Sequence, residues 1–237
     1  MKENTAHNPL EDIHSSMLKN SDESLYDLLY HMYNSWLDHG DMPKDTKTDY
    51  KTLHRKPNKQ TYNRWKYYRP VSWESLVLKC YLRIIRERVD WRIETEKGLA
   101  STQDAYRRDR GPNDIITRFI QFVQEAWNKN ETVVLAIVDY DLFFENIWHD
   151  LLLVKLHKLG IKGKVLKTIY NYLKNRKCCF EVNGYISELM DINQGSPQRG
   201  IPSTTIANVY TYNSDMSSFD IHAEFSDNMK WESNAKG

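Results

Sequence analysis

Hydrophobic positions recur along this chain at two spacings, and the spacings divide it into helices and strands. Between residues 21 and 38, Leu25, Leu28, Leu29, Met32 and Trp36 share one helical face, with Ser21 as a candidate cap and Asp22 and Glu23 suited to a first turn. The spacing returns over 74–97, through Leu76, Leu78, Ile84, Ile85 and Val89, and again over 112–128. Residues 41–73 are polar, lysine-rich and punctuated by Pro43, Pro57 and Pro70, which predicts loops and short strands. Residues 132–140 form a β-branched apolar run, a buried strand ending on the acid Asp139. Two further helices are predicted, over 148–160 with Gly160 as the stop and over 163–175. Residues 177–182 and 186–192 then read as a hairpin turning at Asn183-Gly184. A short helix follows through Ile206 to Tyr210, and one weak strand lies around Ile221 to Phe225. The order is α+β. It predicts a poorly ordered tail over 1–20, a mostly helical region over 21–130, a strand-bearing region over 131–231 and a short tail over 232–237.

Composition narrows the class. Of 237 residues, 40% are hydrophobic and 12% aromatic, enough for a sizeable core and against disorder. No apolar run is long enough to span a bilayer, mean hydropathy is −0.71, and the polar N-terminus lacks a secretory signal. Cys80, Cys178 and Cys179 suit neither a disulfide framework nor a zinc site, which points to a reducing, intracellular setting. Net charge is only +1, but residues 51–118 hold 17 Lys and Arg against 8 Asp and Glu. Tyr62, Trp65, Tyr67, Tyr68, Trp73 and Tyr81 interleave those cations, the composition of a nucleic-acid groove or of a salt-bridged surface.

Seven segments then carry a resemblance, in order. They are Lys56-Pro57-Asn58-Lys59; Tyr68-Arg69-Pro70-Val71-Ser72; Arg107-Arg108-Asp109-Arg110; the stretch from Val138 to Gly160; Val182-Asn183-Gly184 followed by Gly195-Ser196-Pro197-Gln198; Asn208 through Asp215; and Phe225-Ser226-Asp227-Asn228. Together they resemble the reverse transcriptases of non-LTR retrotransposons, of jockey-like or LINE-like kind. The resemblance implies the fingers and palm of a right-hand polymerase and RNA-directed DNA synthesis with two Mg2+ ions. It also implies RNA template, RNA–DNA hybrid and dNTP as partners, for a monomer with no membrane contact. Asp139 and Asp227 take the catalytic positions, and Asp139, Tyr140 and Asp227 the metal positions. Converging carboxylates suit nucleotidyl transfer because two metals clamp the attacking and leaving oxygens. Arg69, with Lys56 or Lys59, falls where the family grips the triphosphate, Arg110 in the fingers segment as a further nucleotide-binding position, Phe144 where a ring packs under the sugar, and Gln198 where template and nucleotide are held in register.

Blander roles stand beside these. Asp139 is also a strand-end residue and Phe144 a core ring, Asp141 reads as structural, Trp148 and His149 as packing and capping, and Cys178 and Cys179 as strand core. Four departures from the family pattern bear on activity. Asn228 replaces the second acid of F-A-D-D and weakens the second metal site. Phe143 replaces a small residue and crowds the substrate pocket, Glu145 replaces an Asp, and Arg199 takes a position made for Gly. With about ten residues after Asp227, the sequence is expected to carry no thumb and no preceding endonuclease. A catalytically silent nucleic-acid-binding remnant, or a relic without function, is therefore the alternative to a polymerase.

Overall fold

The computed structural model describes residues 11, 13–96, 98–99, 103–140, 142–212, 221–225 and 228–235, the last two stretches and 136–139 through their backbone alone. It is a mixed α+β fold of seven helices and eight strands among those residues.

One hydrophobic core gathers five helices. In α3 (Leu76–Thr95), Leu78, Leu82, Ile85, Val89 and Ile93 recur at helical spacing and are all buried. Ser75 caps this helix, its Oγ accepting from the Leu78 amide at 3.3 Å. Against that stripe pack Leu152 and Leu156 of α5 (His149–Lys158), Ile169, Tyr172 and Leu173 of α6 (Gly163–Leu173), and Ile206, Ala207 and Val209 of α7 (Ser203–Thr211). Helix α2 (Glu23–His39) joins through three rings, Tyr33, Trp36 and Tyr81, whose centroids lie 5.3–5.5 Å apart. Helix α4 (Pro112–Asn128) buries Ile115, Phe122 and Ala126. No described helix is long and apolar enough to cross a membrane.

Two sheets complete the fold; in the second, the apolar run over 132–140, expected to be a buried strand, leaves Val134 54% and Leu135 42% exposed, because an apolar run by itself does not fix what covers it. Strands β1 (Thr48–Arg55) and β2 (Tyr68–Trp73) form an antiparallel hairpin, and β1 also runs parallel to β4 (Arg176–Val182). Beyond β4 lie β5 (Tyr185–Ile186) and β6 (Met190–Ile192), both antiparallel to it. Asn183 and Gly184 turn the β4–β5 hairpin at φ of 54° and 83°, a pair of left-handed residues that Asn-Gly tolerates. Cys178 and Cys179 are buried in β4, as strand core. The second sheet is β3 (Thr132–Asp139), β8 (Asn228–Ala235) and β7 (Ile221–Phe225), all antiparallel.

Three boundaries differ from the pattern-based expectation. Residues Ser15–Lys19, expected within a loose tail, form the short helix α1, and the Glu11 carboxylate accepts from the Ser75 hydroxyl and the Leu76 amide. The Ser21 hydroxyl donates to the Leu18 carbonyl and so closes α1; Asp22 therefore takes the N-cap position of α2. The stretch 228–235, expected to be mostly tail, is an eight-residue strand recruited by pairing with β3. A weak alternation cannot be read alone, whereas an eight-residue apolar partner strand stabilises it.

Where the sheet of β1, β2 and β4 meets the core, charge is buried. Arg176, Asp49 and Glu74 each have side chains 1% exposed. The Arg176 guanidinium donates to Asp49 and, at 3.4 Å, to Glu74, while the Tyr172 hydroxyl donates to Glu74 at 2.6 Å. Burial pushes the Asp49 carboxyl up to about 6 even though Arg176 pulls it down.

Candidate active site and nucleic-acid face

The apolar strand β3 ends at Asp139, which is paired in register with Asn228, the first residue of β8. Asn228 is also paired with Phe225, so β7 and β8 close a tight hairpin beside the end of β3. Asp227 immediately precedes Asn228 but lies outside the described residues, as does Asp141. Tyr140 follows Asp139 and is 39% exposed. The described strand ends thus bring together one acid position and one neutral amide position. Among the described residues no group of three or more His, Cys, Asp or Glu comes together as a metal site, and hard divalent ions prefer anionic oxygen to a neutral amide.

Beside β3, residues 143–147 are clasped to 195–198. The Ser196 amide donates to the Phe144 carbonyl at 2.7 Å and the Gly195 amide to the Ile147 carbonyl at 2.9 Å. A His149 ring nitrogen lies 2.7 Å from the Gly195 carbonyl oxygen, so His149 ties the start of α5 to the same loop. Gly195 has φ of 85°, and a Cβ there would sit 2.8 Å from the carbonyl oxygens of Phe144 and Glu145. Left-handed strain and overpacking each cost on the order of 1–3 kcal/mol, so Gly195→Ala is expected to lose about 2–5 kcal/mol of stability, read by urea denaturation. An unchanged midpoint would show that the clasp is loose.

The clasp sets the remaining palm candidates. Gln198 Nε2 donates to Glu145 Oε1 at 2.5 Å, joining two positions that the sequence treats separately. The other Glu145 oxygen is buried without a hydrogen-bond partner among the described residues. Phe144 is half-buried and meets Phe143 edge-on at 5.3 Å. Phe143, expected to crowd the substrate pocket, is buried in the helical core, its ring meeting Tyr140 and Tyr210 at 5.6 and 6.0 Å. Trp148, expected to pack, is 60% exposed and makes no side-chain cap. Arg199 has φ of 68°, the left-handed region that favours glycine.

The basic region resolves into two unlike parts. Arg86, Arg92, Arg107, Arg110 and Arg118 are spent in ion pairs with Asp90, Glu96, Glu94 and the buried Asp104. Arg110, a candidate nucleotide-binding position of the fingers segment, shares Asp104 with Arg118. The β1–β2 hairpin is different. Between Tyr50 and Trp73 it holds Lys51, Arg55, Lys56, Lys59, Arg64, Lys66 and Arg69 without one acid, and among the described residues none of them is in an ion pair. Lys59, Arg64, Lys66 and Arg69 are exposed, Lys56 is half-buried, and Trp65 is 63% exposed beside them. No acid within the hairpin's own sequence compensates these cations, so positive potential gathers on it.

No protein-family model matches the chain. It is 29% identical over 179 residues to the RNA-directed DNA polymerase from mobile element jockey of Drosophila melanogaster, and 27% identical over 180 residues to that of Drosophila funebris. Each match covers 76% of this chain and 19% of the relative, so the chain spans about a fifth of the relatives' length. Among solved structures, apo telomerase from Candida tropicalis superposes with a TM-score of 0.57 at 9% identity, covering 89% of this chain and 44% of that one. That likeness concerns the fold, a reverse transcriptase-like fingers and palm.

Proposed function

We propose that this chain, jockey-like in sequence and of reverse transcriptase-like fold, is a nucleic-acid-binding segment of an RNA-directed DNA polymerase whose own chemistry is weak. The observation that carries the reading is the backbone pairing of Asp139 with Asn228 at the tip of the β7–β8 hairpin. It joins the end of the apolar strand to the residue that follows Asp227.

In this reading Asp139 and Asp227, with Tyr140, hold a divalent ion, which when bound neutralises phosphate charge. The remaining work belongs to the chain. Lys56, Lys59 and Arg69 draw the triphosphate of a dNTP to the hairpin, where the forked guanidinium of Arg69 suits phosphate oxygens. Phe144 supports the sugar from below. Gln198, oriented by Glu145, faces template and nucleotide. An RNA template and its hybrid duplex lie along the hairpin as a monomer's partner, held through backbone charge and shape. Asn228 and Arg199 favour binding over turnover, because one removes an anionic ligand and the other strains the loop that carries Gln198.

Filter binding of an RNA–DNA duplex over a salt series tests the reading. About three to six phosphate contacts should weaken binding roughly 40- to 2,000-fold between 50 and 200 mM salt. Changing Arg64, Lys66 and Arg69 together to alanine should flatten the slope by about three units, whereas Arg107→Ala leaves it alone. Salt-independent binding, or none at low ionic strength, overturns the proposal.

A further inference from the structure

A groove between α2 and α3, with Leu18 and Lys19 of α1 on its wall, shares no residue with the β3 strand end or the basic hairpin. It encloses about 490 Å³. Its lining positions recur at helical spacing, from Tyr26 to Leu37 on α2 and from Cys80 to Arg88 on α3. At the helical rise those stretches run about 16 and 12 Å, so the groove is an elongated trough and not a round cavity. Its floor is fixed: the Tyr33 hydroxyl donates to the Val77 carbonyl at 2.9 Å, and the Tyr33 ring packs on Tyr81, which with Ile85 is buried in the core. The Tyr26 hydroxyl donates to the Leu18 carbonyl at 3.3 Å and so holds α1 against α2. The rim faces solvent. Tyr26 is 54% and Ile84 43% exposed, and Tyr30, which meets the adjacent His31 ring edge-on, is 64% exposed. Apolar surface gathered in one trough marks an interaction site.

Charge limits what can enter. The lining holds two cations, Lys19 and Arg88, and no acid. Both are exposed, and among the described residues neither is in an ion pair, unlike Arg86 on the same helix, which is paired with Asp90. An occupant must therefore bring apolar groups for the trough and carboxylates for its rim. A nucleic-acid strand fits poorly, because α2 carries Glu23 and Asp27, both exposed, and no Lys or Arg, so a run of phosphates would meet like charge. A small amphiphile fits poorly too, since ligand sites bury most of the ligand and this trough leaves one side open. A helix needs only one face covered, and apolar anchors at i, i+4 and i+7 span about 10 Å of its length.

We propose that this groove docks an acidic amphipathic helix of a partner protein, its apolar face in the trough and its carboxylates on Lys19 and Arg88. Buried Tyr81 and Ile85 supply a rigid floor, and the rim residues Tyr26, Tyr30 and Ile84 close on the flanks of the helix. The site is independent of the nucleic-acid reading and uses residues that reading leaves idle.

Fluorescence anisotropy of the whole chain with a labelled synthetic helix tests the site. The probe is about four turns long, with leucine at i, i+4 and i+7, glutamate on both flanks and alanine elsewhere; its counterpart carries lysine in place of glutamate. The acidic probe is expected to bind with a Kd on the order of 10–100 µM, and the basic one at least about fivefold more weakly. Tyr30→Ala and Ile84→Ala should each weaken the acidic probe roughly 5- to 30-fold at an unchanged melting temperature, since both residues stand on the rim. Lys19→Glu with Arg88→Glu should reverse the preference between the probes, an outcome that loss of folding cannot imitate. Bound probe should also slow alkylation by N-ethylmaleimide of the half-buried Cys80, which lines the groove. The triple alanine change at Arg64, Lys66 and Arg69 should leave probe binding intact while weakening duplex binding, so failure of the hairpin reading and failure of this one are separable. No binding of the acidic probe up to about 1 mM, equal affinity for the two probes, a preference unmoved by the double charge reversal, or an unprotected Cys80 overturns the proposal. Displacement of the probe by a single-stranded RNA overturns it as well, by assigning the groove to nucleic acid.

Discussion

Replacing Arg176 with methionine is expected to lower the unfolding free energy by about 3–5 kcal/mol, the cost of breaking a buried ion pair from one side. Arg176 is fully buried on β4 and is the only cation in contact with both Asp49 and Glu74 among the described residues. Without it two carboxyls face each other in a dry interior, with one oxygen of each already lacking a partner. They must then stay protonated or remain charged without compensation, and either state costs free energy. Urea denaturation near neutral pH measures the loss; a midpoint within error of the unmodified chain would show that the cluster is hydrated and not dry.

The same cluster gives a pH dependence with a definite sign. Asp49 is raised from an ordinary value of 3.8 to about 6, so the folded state holds its proton more tightly than the unfolded chain. Its contribution to stability is complete below pH 3.8 and is lost as pH rises through about 6. Asp49→Asn should abolish that part of the slope, so the two stability curves should diverge between these pH values. Parallel curves would mean that Asp49 is ionised throughout.

Primer extension on an RNA template is expected to be near background for the unmodified chain and to rise at least about tenfold in Asn228→Asp, the scale on which metal-site changes act. The reason is the pairing of Asn228 with Asp139: an acid there returns a negative charge to the end of β3, where the described positions supply one acid and one amide. The magnesium midpoint should fall in parallel. Arg199→Gly should add a smaller gain by relaxing the φ of 68° in the loop that carries Gln198. Robust extension without any change, or no gain in the double variant despite an unchanged melting temperature, would contradict this account.

Much of the fold is legible along the chain because its elements are long and locally consistent. The stripe of α3, the β-branched run of β3, the Asn183-Gly184 turn and the Gly160 stop all depend on neighbours within a few residues. The candidate site is legible in a weaker sense. Asp139, Phe144 and Gln198 are singled out by motif, but nothing local reveals that Gln198 is held by Glu145, or that Gly195 is needed for the approach of Phe144. Those are contacts between segments about fifty residues apart.

What the sequence by itself determined is the order of elements, the α+β class, the resemblance to jockey-like polymerases and the surplus of cations over 51–118. What only the tertiary structure decided is which of those cations are available, that Phe143 is core, that 228–235 is a strand, and that Arg176, Asp49 and Glu74 share one dry cluster. The physical reason is range. Periodicity and turn chemistry act between near neighbours, whereas ion pairing, burial and strand recruitment depend on which distant segments meet.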